Sequence, residues 1–203
     1  MSYQLSSPIH AVIASAELLA LDATKTQRDL TARIRASSRG LLSIVDDLVD
    51  TSRMSAGKFA LRLDVVDLND LQARVVDDLR AVATQHGVDL TRAPDPAGVQ
   101  VQGDDRRLEQ VLLALVYAAL RLTPTGGLVR IASRGAGAEV AVTITHTGKP
   151  LPQADLDGLF DRFKQVGATW LNFGVARKIV KAHGGSLVAR AERQGNLELE
   201  SGT

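Results

Sequence analysis

The sequence contains no cysteine among its 203 residues. This absence excludes a disulfide framework and any metal site built on thiolates, and it is compatible with a reducing compartment. Long apolar runs are absent as well, since the longest, residues 111–120, is about half of what a membrane-spanning helix needs. The N-terminus shows no signal-peptide pattern. We therefore expect a cytoplasmic protein with no membrane insertion in this segment.

The sequence also lacks an excess of either charge. Lysine and arginine together number 24 and aspartate and glutamate 23, which gives a formal net charge of +1. Such a balance produces no field that would favour nucleic acid or an anionic membrane. We expect no nucleic-acid partner, and we expect the partners to be other proteins.

The N-terminus does contain an apolar seam with heptad spacing, formed by Leu5, Ile9, Val12, Ala16 and Leu19. A similar pattern follows after a polar break and predicts a second, antiparallel helix. A single hairpin would leave its apolar seam exposed to water, whereas two hairpins from two chains would cover it in a four-helix bundle. We predict a helical hairpin over residues 1–58 that forms a homodimer.

Residues 59–203 show a different pattern, typical of a second domain that is built from short strands and helices. The pattern predicts helices over residues 69–86, 104–122, 155–163 and 173–183, a strand hairpin around residues 135–137, and a last strand that begins at Ser186. This order of elements predicts an α/β sandwich with helices on one face of a mixed sheet. The expected fold class of the whole chain is α+β.

Six stretches of the sequence, in the right order, resemble the motifs of sensor histidine kinases. They are MSYQLSSPI (phosphoacceptor box), LLSIVDDLVDTSRMSAGK (second bundle helix), GDDRRLEQVLLALVYAALRLTPTGG (N box), THTGKPLP (first glycine box), LFDRF (phenylalanine box) and FGVARKIVKAHGGSL (the helix after the second glycine box). The resemblance covers nearly the whole chain. It implies a dimerisation and phosphoacceptor hairpin followed by an ATP-binding domain, in a two-component or phosphorelay pathway.

The resemblance also implies that the phosphoacceptor is missing. The histidine of the family aligns with Tyr3, whose phenol has no neutral nitrogen with which to attack a γ-phosphate. The neighbouring acidic residue aligns with Gln4, which cannot take a proton. Autophosphorylation at this position is not expected, and the plainest interpretation of Tyr3 is an exposed helix residue.

The nucleotide pocket that the resemblance implies has lost its characteristic side chains. The two asparagines of the N box align with Ala114 and Ala118, whose methyl groups cannot ligate magnesium. The aspartate that reads adenine aligns with His146, which we interpret as a polar cap. The residues at this vestigial nucleotide pocket are Ala114, Ala118, Arg121 in place of a phosphate-binding lysine, His146, Gly148 and Gly174.

The second glycine box has also lost residues that would bind nucleotide in the family. Its segment KQVGATWLNFGVARK keeps only Gly167 and Gly174 of the glycines that would cradle a triphosphate in a loop. Trp170 and Phe173 stand where the family has small residues, and we expect them to fill the space of the adenine as core residues.

Together these losses predict a pseudokinase-like protein that neither binds ATP nor autophosphorylates, and that uses no cofactor and no metal. We expect a dimeric scaffold or regulator that binds the receiver domain of a response regulator or a partner histidine kinase. The predicted contact surface on the first helix consists of Ser6, Ser7, Ile9 and His10.

Two alternatives remain open for the hairpin. His10 lies seven residues after Tyr3 on the same helix row, so it would serve as a displaced phosphoacceptor in a phosphotransferase. Ser7 falls where the phosphatase activity of the family uses a side chain to orient a water, so it would assist hydrolysis of a regulator's phospho-aspartate. A third alternative is the signal-output region of a larger sensor protein.

Overall fold

The structure is a computed structural model. It describes residues 2–20, 59–136, 139–150, 156, 164–166, 169–171, 173–190 and 196–201, and the single positions 24, 27, 31, 34, 38, 49, 50, 52 and 56. For residues 2–8, 17, 20, 136, 164–166, 169–171 and 196–201 it describes the backbone alone. The chain divides into two compact units, Met1–Ala60 and Leu61–Thr203.

The first unit begins with helix α1, Ser2–Ala20. On the predicted seam of this helix Ala16 is 2% exposed, whereas Val12 is 46% and Leu19 67% exposed. A single copy of the chain therefore covers only part of the seam. The described positions 31, 34, 38, 49, 50 and 52 are helical too, but the bounds of the predicted second helix lie outside the described residues.

The described elements of the second unit are eight strands and three helices. They are β1 (Asp64–Asp67), α2 (Leu68–His86), β2 (Asp89–Ala93), β3 (Gln100–Gly103), α3 (Asp105–Leu122), β4 (Leu128–Ala136), β5 (Glu139–His146), β6 (Lys164–Val166), β7 (Thr169–Leu171), α4 (Gly174–Ala182) and β8 (Asn196–Ser201). The main sheet has the order β2-β4-β5-β8, in which β2 is parallel to β4 and the other pairs are antiparallel. Two further pairs, β1-β3 and β6-β7, are antiparallel. The predicted α+β class with a mixed sheet is confirmed.

The core lies between the main sheet and the three helices whose bounds the structure describes in this unit. Side chains alternate along β4 and β5, so Val129, Ile131 and Ile144 are fully buried on the helix side. Helices α2 and α3 pack against each other and against the sheet, and α4 packs against α3. This arrangement places the C-terminal half of α3 next to β5, where the vestigial nucleotide pocket was expected.

The two long helices begin at side-chain caps. The carboxylate of Asp67 accepts hydrogen bonds from the backbone N–H groups of Asn69 and Asp70 at the start of α2. Asp104 caps α3 by accepting from the N–H of Arg107, and its second oxygen accepts from the N–H of Arg62 at 2.9 Å. These caps satisfy backbone donors that a helix N-terminus leaves without partners.

His183 joins the end of α4 to the start of α3. Its Nδ1 donates to the carbonyl of Ile179 at 2.8 Å, and its Nε2 accepts from the N–H of Asp104 at 3.0 Å. Asp104 and His183 are 79 residues apart along the chain, so this contact connects two distant helix ends.

The predicted element bounds can be compared one by one. Helices α2, α3 and α4 and the β4-β5 hairpin are confirmed. Of the predicted helix over residues 155–163, only Leu156 is described, and it is helical and buried. The strand start at Ser186 is wrong, because the strand paired with β5 is Asn196–Ser201. Residues 187–189 form a short apolar run, which also favours a strand, so the sequence pattern did not identify Asn196–Ser201 as the strand that pairs.

Candidate functional site

The first candidate surface lies on α1. Tyr3, Ser6 and Ser7 are helical, and their side chains lie outside the described part of the structure. Ile9 is half-buried and His10 is exposed. Because a helix rises about 1.5 Å per residue, Tyr3 and His10 stand roughly 10 Å apart along the axis. The backbone thus places the predicted contact residues on one helix, with His10 open to solvent.

The second candidate, the vestigial nucleotide pocket, is built on the C-terminal half of α3. Ala118 is buried, Ala114 is half-buried and Arg121 is exposed. Their spacing of four and three residues places them along one side of the helix. The two alanines contribute methyl groups, which offer neither a hydrogen-bond acceptor nor a metal ligand. Arg121 is the one charged side chain of the predicted set, and it is exposed to solvent.

His146 is the last residue of β5 and is 6% exposed. Its Nδ1 accepts a hydrogen bond from the backbone N–H of Gly148 at 3.1 Å. Burial lowers the pKa of His146 below the usual value for histidine, which favours the neutral ring. In that state Nε2 carries the proton, since Nδ1 is the acceptor. The polar-cap interpretation agrees with this geometry.

The turn after His146 is held tightly against the end of α3. A Cβ atom on Gly148 would overlap the carbonyl oxygen of Leu122, so only glycine fits here. Thr147 forms two hydrogen bonds with Leu128: its hydroxyl accepts from the N–H at 2.8 Å, and its own N–H donates to the carbonyl at 3.0 Å. The sequence showed Gly148 as a remnant of a glycine box, but it did not show this packing, which depends on residues far apart in the chain.

The segment of the second glycine box contains two short strands. Lys164–Val166 and Thr169–Leu171 pair as an antiparallel hairpin, with Gln165 opposite Trp170. Residues such as Val166, Thr169 and Trp170 favour strands. The side chain of Trp170 lies outside the described residues.

The hairpin leads into α4 at Phe173. This phenylalanine is 3% exposed, which confirms its predicted role in the core. It occupies the N-cap position of α4 without a side-chain hydrogen bond, and Gly174 follows as the first helical residue. The N-terminus of α4 is thus preceded by a buried aromatic ring.

The described residues contain no group of three or more His, Cys, Asp or Glu side chains that could hold a metal ion. Within the same residues, no helix combines the length and the apolar character required to cross a bilayer.

Comparison with known proteins gives two family matches. Residues 1–57 match the His Kinase A (phospho-acceptor) domain, and residues 103–203 match the histidine kinase-, DNA gyrase B-, and HSP90-like ATPase family. Sensor protein DivL of Caulobacter vibrioides is 31% identical over 196 residues, which cover 95% of this chain and 26% of DivL. Histidine protein kinase DivJ of the same organism is 28% identical over 199 residues, which cover 93% of this chain and 33% of DivJ. The chain thus spans about a quarter to a third of these relatives.

Solved structures show the same fold. Full-length ShkA in complex with AMPPNP superposes with a TM-score of 0.73 at 24% identity, over 98% of this chain and 43% of ShkA. Histidine kinase ThkA in complex with response regulator protein TrrA gives a TM-score of 0.66 at 21% identity, over 98% of this chain and 59% of the matched chain.

Proposed function

The chain belongs to the transmitter region of the sensor histidine kinases, and from this premise we propose that it acts in two-component signalling without kinase chemistry. It serves as a cytoplasmic, dimeric scaffold or regulator. Its helical hairpin binds the receiver domain of a response regulator or a partner histidine kinase, and its second unit keeps the fold of an ATP-binding domain without binding ATP.

The observation that carries the proposal is the hydrogen bond between His146 and Gly148. By the resemblance, the family has at this position a carboxylate that accepts a hydrogen bond from the adenine amino group. In this chain the acceptor nitrogen of the ring is already occupied by the N–H of Gly148. The other ring nitrogen of a neutral histidine is a donor, and a donor cannot pair with an amino group.

The alanines of α3 support the same conclusion for magnesium. Magnesium requires oxygen ligands in a nearly octahedral arrangement, usually from carboxylates, waters and substrate phosphates. Ala114 and Ala118 supply no oxygen side chain at the positions where the family has asparagine. Arg121 remains as a cation for phosphate, but one exposed arginine without the metal and the base contact gives little affinity.

The dimer and the partner surface rest on α1. Val12, Leu18 and Leu19 are large apolar side chains that a single copy leaves exposed, and a second copy would cover them. His10 is exposed on the same helix. The structure of ThkA was solved with a response regulator, which supports a receiver domain as the class of partner.

The decisive experiment pairs calorimetry of magnesium-ATP with binding of candidate receiver domains and kinases. We expect no saturable ATP binding below about 1 mM, and receiver binding that weakens in Ile9→Asp and His10→Ala. Lys178→Ala, an exposed change on α4, is the matched control and should bind as the wild type does. Micromolar ATP affinity would refute the loss of nucleotide binding, and failure to bind any cognate regulator or kinase would refute the scaffold role.

A second function is favoured by the exposure of His10 on α1. In this alternative the hairpin is an enzyme of the phosphorelay, with His10 as phosphoacceptor or Ser7 assisting a phosphatase reaction. Incubation with a phosphorylated regulator separates the possibilities. Transfer of the label to the chain that disappears in His10→Ala indicates phosphotransfer, and accelerated dephosphorylation that disappears in Ser7→Ala indicates phosphatase activity.

A further inference from the structure

An open depression of about 720 Å³ lies on the face of the main sheet opposite the helices. Its strand residues include Arg130, Ala132 and Arg134 of β4, which alternate with the core residues Val129 and Ile131. Alternation in a strand places these two sets on opposite faces of the sheet. The depression is therefore separate from the vestigial nucleotide pocket, which lies on the helix side.

Small side chains form the floor of the depression. Ala132 pairs with Thr143 across β4 and β5, and Arg134 pairs with Ala141. Since strands rise about 3.3 Å per residue, Arg130 and Arg134 stand roughly 13 Å apart along β4, with Ala132 between them. Because the side chains of the floor are short, open space remains between the two long cationic side chains of Arg130 and Arg134.

A rigid loop forms one wall. Pro94, Asp95 and Pro96 line the depression, and the two prolines restrict the backbone of this loop. The N–H of Asp95 donates to the side chains of Asn69 at 3.2 Å and Ser133 at 3.1 Å, and the Asn69 amide returns a hydrogen bond to the Asp95 carbonyl at 2.9 Å. A wall that is ordered before binding does not add to the entropic cost of binding.

The charges at the two ends of the depression differ. The N–H groups of Gly135 and Ala97 donate to the carboxylate of Asp95 and, together with nearby Arg134, hold the pKa of Asp95 below its usual value. The carboxylate of Asp95 thus stays ionised, and its negative charge offsets the positive charge of Arg134. Ion pairs of the described side chains include those of Arg74 and of Arg80, and Arg130 takes part in none of these pairs. The exposed guanidinium of Arg130 is left to face the depression.

We propose that this depression binds a small ligand carrying a carboxylate or phosphate group, with the anion held by Arg130 and hydroxyl groups offered by Thr143 and Thr145. The planar guanidinium presents parallel N–H donors that match either oxyanion in a two-point contact. Thr145 pairs with Arg130 across the two strands, so its hydroxyl stands beside the anion. The charged residues that line the depression, Arg130, Arg134 and Asp95, carry a net charge of +1. On the neighbouring strand β8 the register places Glu198 and Glu200 opposite Thr143 and Ala141. This site is independent of the function proposed above.

The test uses the full chain labelled with ¹⁵N and titrated separately with succinate and with inorganic phosphate at constant ionic strength. We expect saturable shifts of backbone amides in β4 and β5 with at least one anion, at dissociation constants in the millimolar range. Arg130→Gln should weaken that binding about tenfold or more, the typical effect of losing a charge-assisted contact. Saturation by succinate alone identifies a carboxylate ligand, and saturation by phosphate alone a phosphate ligand.

Lys178→Gln is the matched control, because it removes an exposed cation of α4, on the helix side of the sheet. It should leave both affinities unchanged. Three results would overturn the proposal: no saturation by either anion up to about 50 mM, equal affinity in wild type and Arg130→Gln, or loss of binding in Arg121→Gln instead. The last result would place the anion at the old nucleotide pocket. Because Arg130 is exposed, Arg130→Gln should fold normally, and its amide spectrum verifies this.

Discussion

Replacement of Gln72 by leucine should stabilise the second unit. Gln72 lies on the buried face of α2 and is 0% exposed, and neither its Oε1 nor its Nε2 has a hydrogen-bond partner among the described residues. Burying an amide without partners costs about 1–3 kcal/mol by mutational data, and leucine has a similar size with no polar atom to satisfy. We expect Gln72→Leu to raise the free energy of unfolding by about 1–3 kcal/mol.

The only tryptophan of the chain provides the assay. Trp170 lies in β7 of the second unit, so urea unfolding followed by its fluorescence reports on that unit. The midpoint should rise while the slope with urea stays constant, and the thermal midpoint should rise by several degrees. Gln85→Leu, at an exposed position of the same helix, is the control and should change stability by less than about 0.5 kcal/mol. A loss of stability in Gln72→Leu would refute the reasoning, because it would mean that the amide is satisfied in the folded protein.

Three further predictions concern the contacts around α3. The free energy of unfolding should be highest above the usual histidine pKa of about 6.5 and should fall at lower pH. The reason is that burial lowers the pKa of His146 in the folded state, so the unfolded chain binds protons better. Urea unfolding from about pH 7.5 to 5 measures this dependence, and His146→Gln should make it weaker. Gly148→Ala should cost about 1–3 kcal/mol, since its Cβ meets the backbone of Leu122, whereas Gly135→Ala, with no neighbour nearer than 3.9 Å, should cost clearly less in the same assay. Asp104→Ala should cost about 1–2 kcal/mol through loss of the cap of α3, and Asp104→Asn should retain more of that stability; equal losses in the two variants would contradict the capping role.

Local signals made much of the fold predictable. Asp67 and Asp104 mark helix starts because their carboxylates satisfy the first free N–H groups, and Gly87 marks a helix end because it adopts a φ of +64°. The apolar periods of α2 and α3 then follow from the need to bury one face against the sheet. These features act within a few residues, so a single sequence reveals them.

The features that escaped prediction depend on residues far apart in the chain. Gly148 is required by the carbonyl of Leu122, and no local pattern shows that approach. The pairing of β8 with β5 is likewise a long-range contact, and the sequence after Ser186 offered a second apolar segment for it. The motif alignment identified His146 as a replaced residue, but only the structure shows that its Nδ1 is occupied by Gly148. The hydrogen-bond partners and close neighbours of these residues are distant in sequence or set by the fold, so the structure was needed to identify them.

The carboxylate of Asp104 has a mechanical consequence. One of its oxygens holds the N–H of Arg62, two residues beyond the boundary of the first unit, and the other holds the first turn of α3. The segment that joins the units is therefore tied to the start of α3 by this side chain, in addition to the pairing of β1 with β3 directly before Asp104. The backbone N–H of the same aspartate donates to His183 at the end of α4, so one residue connects the joining segment with two helices.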